Sequence, residues 1–458
     1  MIPERIRPTL EVVRPVAERF AAEGHSLYLV GGIVRDLLAG RPLDDADIDL
    51  TTDALPGTIK SIVGPSADAM WTQGERFGTI GVKIGGRELE ITTHRGEAYS
   101  PDSRKPDVTF SDNIEIDLSR RDFTVNAMAL RLPDPELVDP YDGFGDLTSG
   151  RLRTPLAPAE SFSDDPLRMM RAARFIAGYG LEPDRDLVRT AAELEDRLSI
   201  VSAERIRDEL DKLLVVDDPT AGLWFLVDTG LADEFLPELP AMRLEQDPIH
   251  HHKDVLAHTI AVTAKTEPDR IVRLSALLHD VGKPMTRAIG PKGVSFHHHE
   301  MVGARMARDR MQALRYSKDD IKDVTKLVRL HLRFHTYQMG WSDSAVRRFV
   351  RDAGDLRDEL IELTRCDCTT RNEKKARALS RRMDELVERI AELEAAEEIA
   401  SIRPDLDGDQ IMAHLDIGPG KAVGEALDLL LEARLEEGPL GDEEAYRRLD
   451  TWWAEREA

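Results

Sequence analysis

The segment Gly31-Gly32-Ile33-Val34-Arg35-Asp36, with Asp45-Ala46-Asp47-Ile48-Asp49 after it, sets the architecture of the first third of the chain. The apolar run Leu27 to Val30 reads as a short strand and Ile33 to Leu38 as a helix, so the glycine pair falls in a strand-to-helix turn. Two glycines there let the backbone approach a phosphate, and the helix N-terminus adds unpaired N–H groups and the positive end of its dipole. Side chains alternate along the strand that follows, which puts Asp47 and Asp49 on one face. Adjacent carboxylates repel unless a cation occupies the site, and hard oxygen ligands suit Mg²⁺. By itself a glycine pair is most often only a turn, and Asp-x-Asp is as readily a solvated surface pair.

Further strands are expected at Ile48 to Thr51, Thr79 to Ile84, Glu88 to Thr93 and Ala127 to Leu132, giving a mixed α/β region from about 27 to 150. Glu90, on the third of these, is a candidate third carboxylate. The stretch His94 to Asp112, rich in Pro, Asp, Ser and Gly, reads as a mobile loop. After Gly150 the apolar residues fall at helical spacing, in Leu167 to Ala177, Leu187 to Leu198 and Ala203 to Val215. Punctuation at Asp217-Asp218-Pro219 and from Glu238 to Pro248 precedes a histidine-rich helical region reaching about Thr370. The last part is Ala/Glu/Leu/Arg-rich helix.

A chain of 458 residues suggests three or four domains. Its two cysteines, Cys366 and Cys368, offer no disulfide framework, which fits a reducing cytoplasm. The first residues lack the apolar core of a signal peptide, and no apolar run is long enough to cross a bilayer. A net charge of −24 excludes a general nucleic-acid coat but leaves room for local basic patches such as Arg120-Arg121 and Arg168 to Arg174. The acidic excess of the tail reads as a solvated helical surface, and Arg205, Arg207 and Lys212 are candidate phosphate contacts.

A second constellation is His258, His279-Asp280, His299, His331 and Asp367, spread over the region that reads as all helix. Imidazole and carboxylate together suit a transition metal (Ni²⁺, Mn²⁺ or Fe²⁺) better than a bare Mg²⁺ site.

Ordered motifs now identify a resemblance. Leu29 to Asp36, Asp47 to Thr51, Glu90 to Arg95, Arg120 to Ala129, Val138 to Leu147, Asp164 to Phe175 and Ser202 to Leu214 resemble the class II tRNA nucleotidyltransferase and bacterial poly(A) polymerase family. Leu277 to Lys283 resembles the HD phosphohydrolase pattern. The resemblance implies an α+β protein: a polymerase-β-like nucleotidyltransferase head (20–150), an all-helical neck and body (151–245), an HD domain (246–371) and a helical tail (372–458). It implies Asp47 and Asp49 as catalytic Mg²⁺ ligands with Glu90 beside them, and Gly31, Gly32 and Arg35 as triphosphate contacts. Arg121, Asp122 and Asn126 match ribose and phosphate contacts.

Asp164, Asp165, Arg168 and Arg171 are expected on one helix that Pro166 helps to start, with Asp164, Arg168 and Arg171 on one face. A carboxylate and a guanidinium together imitate a Watson–Crick edge and would select C and A. Spacing alone favours an ordinary salt bridge here; the resemblance favours base reading by Asp165 and Arg168. Asp164 departs from the family, which usually has Glu there.

The implied activity is template-independent addition of CCA to the tRNA 3′ end from CTP and ATP, in the cytoplasm and away from membranes, with HD phosphohydrolase activity as a further expectation. The rivals are a poly(A) polymerase, an A-adding or CC-adding enzyme, and a metal-dependent phosphohydrolase with a nucleotide-binding head. The sequence leaves the oligomeric state open.

Overall fold

The computed structural model describes residues 7–42, 48–100, 103–244, 254–290, 293–336, 342–368, 373–396 and 402–457. These form two units, Met1–Pro240 and Ala241–Ala458.

The first unit is built on a seven-stranded sheet. Its strands are β1 (Leu27–Val30), β2 (Ile48–Thr52), β3 (Ala69–Trp71), β4 (Thr79–Ile84), β5 (Arg87–Thr93), β8 (Ala129–Leu132) and β9 (Glu136–Val138), in the order β3-β4-β5-β2-β1-β8-β9. Only β2 and β5 run parallel; the other neighbours are antiparallel. Because β1 is buried on both faces, its residues split by alternation. Leu27 and Leu29 join Leu50, Ile80 and Ile91 in the main core, whereas Tyr28 and Val30 pack with Leu118, Ala127 and Ala129.

A helix at Arg7–Ala22, which begins ahead of the expected head boundary at residue 20, seals the main core with Leu10, Val13, Val16, Ala17 and Phe20. These fall at three- and four-residue intervals, the apolar stripe of a helix lying on a core.

The stretch read as a loop, His94 to Asp112, contains two strands, β6 (Arg95–Ser100) and β7 (Ser103–Phe110). They pair antiparallel from Arg95↔Phe110 to Ser100↔Ser103, with a register shift between Ala98 and Ser100. Pro106 and the polar composition hid this hairpin: proline is tolerated in a two-stranded ribbon, where one backbone edge needs no partner.

Beyond the sheet the unit is mainly helical, including Pro158–Asp164, Leu167–Tyr179, Arg185–Glu193, Ala203–Leu214 and Thr220–Asp228, with one short parallel pair of Arg151–Leu152 and Glu182–Pro183. One expectation is corrected here. Asp164 ends one helix, Asp165 is extended at φ −138° and ψ 98°, and Arg168 and Arg171 belong to the next helix. Asp165 precedes Pro166, whose ring disfavours helical backbone at the residue before it. Asp164, Arg168 and Arg171 therefore do not share a helix face.

Among its described residues the second unit is helical apart from a short ribbon, Arg287–Gly290 with Gly293–Phe296. Its main core joins Leu327, Phe334, Phe349, Leu360 and Leu363 to Met383, Leu386, Ile390 and Leu393 of the Glu373–Ala396 helix. The core thus runs across the boundary expected at 371. A smaller core of Leu406, Ile411, Ala426, Leu430, Ala445 and Leu449 gathers the last three helices.

Candidate functional sites

The head site grows from the turn between β1 and the Gly32–Ala39 helix. Gly31 sits at φ 74°, a left-handed backbone that side chains rarely adopt. A Cβ added there would lie 3.0 Å from Arg121 Nη1 and 3.6 Å from Asp49 Oδ2. One glycine therefore stands beside both the carboxylate and the guanidinium that the sequence singled out. Asp49 on β2 is in register with Glu90 on β5, and residues directly opposite on neighbouring strands project to the same face of a sheet. Asp47 lies outside the described residues, as does most of the turn before β2. Beside Glu90 is a small cleft of about 310 Å³ lined by Trp71, Phe77 and Arg95 among others.

Arg121 is aimed by the buried Asp117, 3.3 Å from its Nη2, and its buried Nε has no hydrogen-bond partner. An unpaired guanidinium N–H beside a helix N-terminus is a donor set for an anionic oxygen.

Behind this cradle runs a continuous polar network. Arg35 Nη1 donates to Asn126 Oδ1 at 2.5 Å, and Asn126 Nδ2 donates to Asp122 Oδ1 at 2.9 Å. The other Asp122 oxygen accepts from Arg171 Nη2 and Nε at 2.5 and 2.8 Å. Glu209 then takes Arg174 at 2.8 Å and Arg171 at 3.4 Å. Burial alone would raise the Asp122 pKa; the Arg171 charge and the hydrogen bonds from Asn126 and Arg171 outweigh it and hold the carboxylate well below its usual range. Arg35 also forks onto Asp36 and lies over the Tyr179 ring at 4.3 Å, while Tyr179 donates its hydroxyl to Asp36 at 3.0 Å.

The expected Asp165–Arg168 partnership is not a direct contact. Asp165 is paired with Arg205 at 2.7 Å. Arg168 is buried and donates to the Ser161 hydroxyl at 2.8 Å and to the Arg120 carbonyl at 2.5 Å. Of the suggested phosphate contacts, Arg205 is thus engaged by Asp165, Arg207 by Asp208 at 2.7 Å, and Lys212 approaches Glu209 at 3.5 Å. Asp36, Tyr179, Glu209 and Asp117 were not singled out from the sequence. The one available signal was the four-residue step from Phe175 to Tyr179, whose rings stack at 5.2 Å on one helix face.

The second unit brings all six of its expected ligands together. Asp280 lies at the centre: its Oδ2 is 3.1 Å from His279 Nε2 and 3.6 Å from His258 Nε2, and its Oδ1 is 3.3 Å from His299 Nε2. His331 Nε2 is 3.3 Å from His299 Nε2, and Asp367 Oδ1 is 2.9 Å from His258 Nε2.

The outer nitrogens fix the tautomers. Nδ1 of His279, His299 and His331 faces the carbonyls of Ala276, Phe296 and Val328 at 2.7, 2.8 and 2.6 Å. A carbonyl only accepts, so each Nδ1 carries its proton and each Nε2 turns inward. Two triads result, His258/His279/Asp280 and Asp280/His299/His331, each with ligand atoms within 4.8 Å of one another. Gly282 closes the turn after Asp280 because a Cβ there would lie 2.2 Å from the His299 carbonyl oxygen. Burial lowers the His279 pKa, but Asp280 and then Asp367 outweigh it and push it up to about 10. His331 goes the other way, pushed down to about 3 by burial and the charge of His279. This donor set fits a divalent transition ion, which would take the place of the proton that His279 carries on its inward Nε2.

Three family models match the chain in succession. A family model described as the poly A polymerase head domain matches residues 27–153, one for the probable RNA and SrmB-binding site of polymerase A matches 180–242, and the HD domain model matches 251–416. An A-adding tRNA nucleotidyltransferase of Deinococcus radiodurans is 35% identical over 443 residues, 93% of this chain and 95% of that protein. A CCA-adding enzyme of Lactobacillus gasseri is 40% identical over 223 residues, 48% of this chain and 54% of that protein. The crystal structure of the Bacillus stearothermophilus CCA-adding enzyme in complex with CTP has the same fold, with a TM-score of 0.69 over 99% of both chains at 22% identity.

Proposed function

Because this chain belongs to the tRNA nucleotidyltransferase family, a metal-dependent family of enzymes with a poly(A) polymerase head, an RNA-binding region and an HD domain, we propose that it adds CCA to the 3′ end of tRNA. The observation that carries this reading is the meeting of Asp49, Glu90, the Gly31 turn and Arg121 at one end of the sheet. Carboxylates and a phosphate cradle at one point suit transfer of a nucleotidyl group.

The RNA 3′-hydroxyl oxygen bonds to the α-phosphorus of CTP or ATP, the bond to the bridging oxygen of pyrophosphate breaks, and the hydroxyl proton leaves to solvent. Asp47 and Asp49, with Glu90, would hold Mg²⁺, which supplies Lewis-acid activation of the hydroxyl and neutralises charge on the phosphate. Gly31 and Gly32 let backbone N–H groups reach the triphosphate, and Arg121, whose Nη1 stands beside Gly31, offers its guanidinium to it. Asp122 and Asn126, locked to Arg35 and Arg171, present a fixed polar edge to the ribose. Asp165 and Arg168 select the base, with Arg205 orienting Asp165. No covalent enzyme intermediate is needed, because positioning and charge stabilisation supply the acceleration.

A-addition alone is the second reading, favoured by the near full-length relative from Deinococcus radiodurans. Incorporation into tRNA transcripts ending at the discriminator base, at C and at CC separates the two. Two C residues then one A, followed by a stop, is expected; A added only to the transcript ending in CC would establish the second reading. For the HD site we propose hydrolysis of a phosphoester such as a 2′,3′-cyclic nucleotide, with a transition ion held by the two triads.

A further inference from the structure

The second unit contains a cleft of about 1380 Å³ between the helices His299–Ala313 and Lys318–Leu330. Its charge opposes that of the chain. Lysines and arginines number 62 against 86 acids overall, yet eight of the side chains lining this cleft are cationic and two are acidic. Six of these cations, Arg305, Arg308, Lys318, Lys322, Lys326 and Arg329, form no ion pair with any carboxylate among the described residues. The other two, Arg333 and Arg351, are held by Asp352 at 2.6 and 2.9 Å.

The charges on the Lys318–Leu330 helix are sorted by face. Lys318, Lys322, Lys326 and Arg329 recur at steps of four, four and three and line the cleft, whereas Asp319, Asp320 and Asp323 do not line it. Asp320 instead holds Arg270 at 2.6 Å. Unpaired like charges along one helix face repel, so their alignment is a cost that an anionic partner would remove. Thr325 lies within the same stripe and is buried, and its hydroxyl oxygen has no hydrogen-bond partner. An unsatisfied buried hydroxyl at the cleft wall is a second signal of a missing polar ligand.

At a rise of about 1.5 Å per residue, the stripe is roughly 16 Å long, enough for about three successive phosphates, each roughly 6 Å from the next along a nucleic-acid backbone. A small anion would use only part of it.

We propose that this cleft binds the phosphodiester backbone of the RNA substrate, with Lys318, Lys322, Lys326 and Arg329 tracking consecutive phosphates and the Thr325 hydroxyl donating to one of them. The assignment rests on the reading of the chain as an RNA-extending enzyme and adds a binding surface outside the matched RNA-binding region at 180–242.

The test uses the full-length protein and a tRNA transcript. Dissociation constants are measured against salt concentration for the wild type, for Lys322→Glu/Lys326→Glu/Arg329→Glu and for the corresponding triple glutamine variant. The expected result is a loss of affinity of about tenfold or more at ~0.1 M salt for the glutamate variant, and a smaller loss for glutamine. The slope of log affinity against log salt should become shallower by roughly two to three. The KM for tRNA should rise in step while the KM for CTP holds at its wild-type value. Wild-type affinity and slope in a folded glutamine or glutamate variant would overturn the proposal, as would displacement of the RNA effect by millimolar inorganic tripolyphosphate, which would mark a small-anion pocket. A wild-type protein that fails to bind or extend tRNA would instead refute the functional reading.

Discussion

The carboxylate of Asp122 and the guanidinium of Arg171 are joined by two hydrogen bonds of 2.5 and 2.8 Å, although 49 residues separate them in sequence. The pair ties the segment leading into β8 to the Leu167–Tyr179 helix, and through Asn126 it reaches Arg35 behind the glycine turn. Ribose, phosphate and base contacts would therefore rest on one network.

Replacing Asp122 by Asn should lower stability by about 2–4 kcal/mol at neutral pH, because a buried pair loses its negative member. The sign with pH follows from the depressed pKa of Asp122. Its contribution is present above the unfolded-state value, about 4, and is lost as pH falls toward the lower folded-state value. Urea unfolding from pH 7 down to pH 3 checks this: the gap between variant and wild type should narrow on acidification. A gap that widens would contradict the depressed pKa.

Asp49→Asn should reduce nucleotide addition on the order of 10³-fold while sparing hydrolysis of a 2′,3′-cyclic nucleotide. Asp280→Ala should do the reverse. Both rates are measured on the same preparations, with circular dichroism reporting the fold. Loss of both activities in one well-folded variant would refute the two-site assignment.

Asp165→Ala should relax nucleotide choice, lowering the preference in kcat/KM for CTP over UTP by roughly 10- to 100-fold, since a lost charged hydrogen bond is worth about 1.5–3 kcal/mol. Arg205→Ala should produce a weaker change in the same direction by releasing Asp165. If Asp165→Ala leaves discrimination against UTP and GTP intact, base reading lies elsewhere.

Added Mn²⁺ or Ni²⁺ should raise the melting temperature of the wild type, an effect worth about 2.7 kcal/mol when the ion is at a hundredfold its Kd. His279→Gln and Asp280→Ala should abolish that shift. Metal content by plasma emission spectroscopy, before and after chelation, supplies the independent readout. An unchanged melting temperature with stoichiometric metal absent would refute a metal site in this unit.

Much of the head was legible because strand alternation and the glycine turn are local signals. The expected β1 and β4 coincide with the observed strands, and the helix after Gly31 differs by one residue at each end. Two errors had a common origin in proline. Pro166 reads as opening a helix that already contains Asp164, whereas its main effect is on the residue before it, and the proline-containing stretch His94 to Asp112 reads as a loop although it holds a hairpin. What stayed hidden was chiefly pairing across long sequence distances. Nothing near Asp165 announces Arg205, and nothing near Asp36 announces Tyr179, because such partners are set by how helices pack. In the second unit all six candidate ligands were legible as residue types, but the division of Asp280 between two triads required geometry.

Arg35 lies between the phosphate cradle and the Leu167–Tyr179 helix, stacked on Tyr179 and bonded to Asn126. If that helix reads the base and the cradle grips the triphosphate, the two tasks share one mechanical linkage. An incorrect base then need not be rejected at the door: it enters, tilts the helix, and leaves its own α-phosphorus out of line. Errors by such an enzyme would be slow rather than weakly bound, and fidelity would be a matter of tempo more than of affinity.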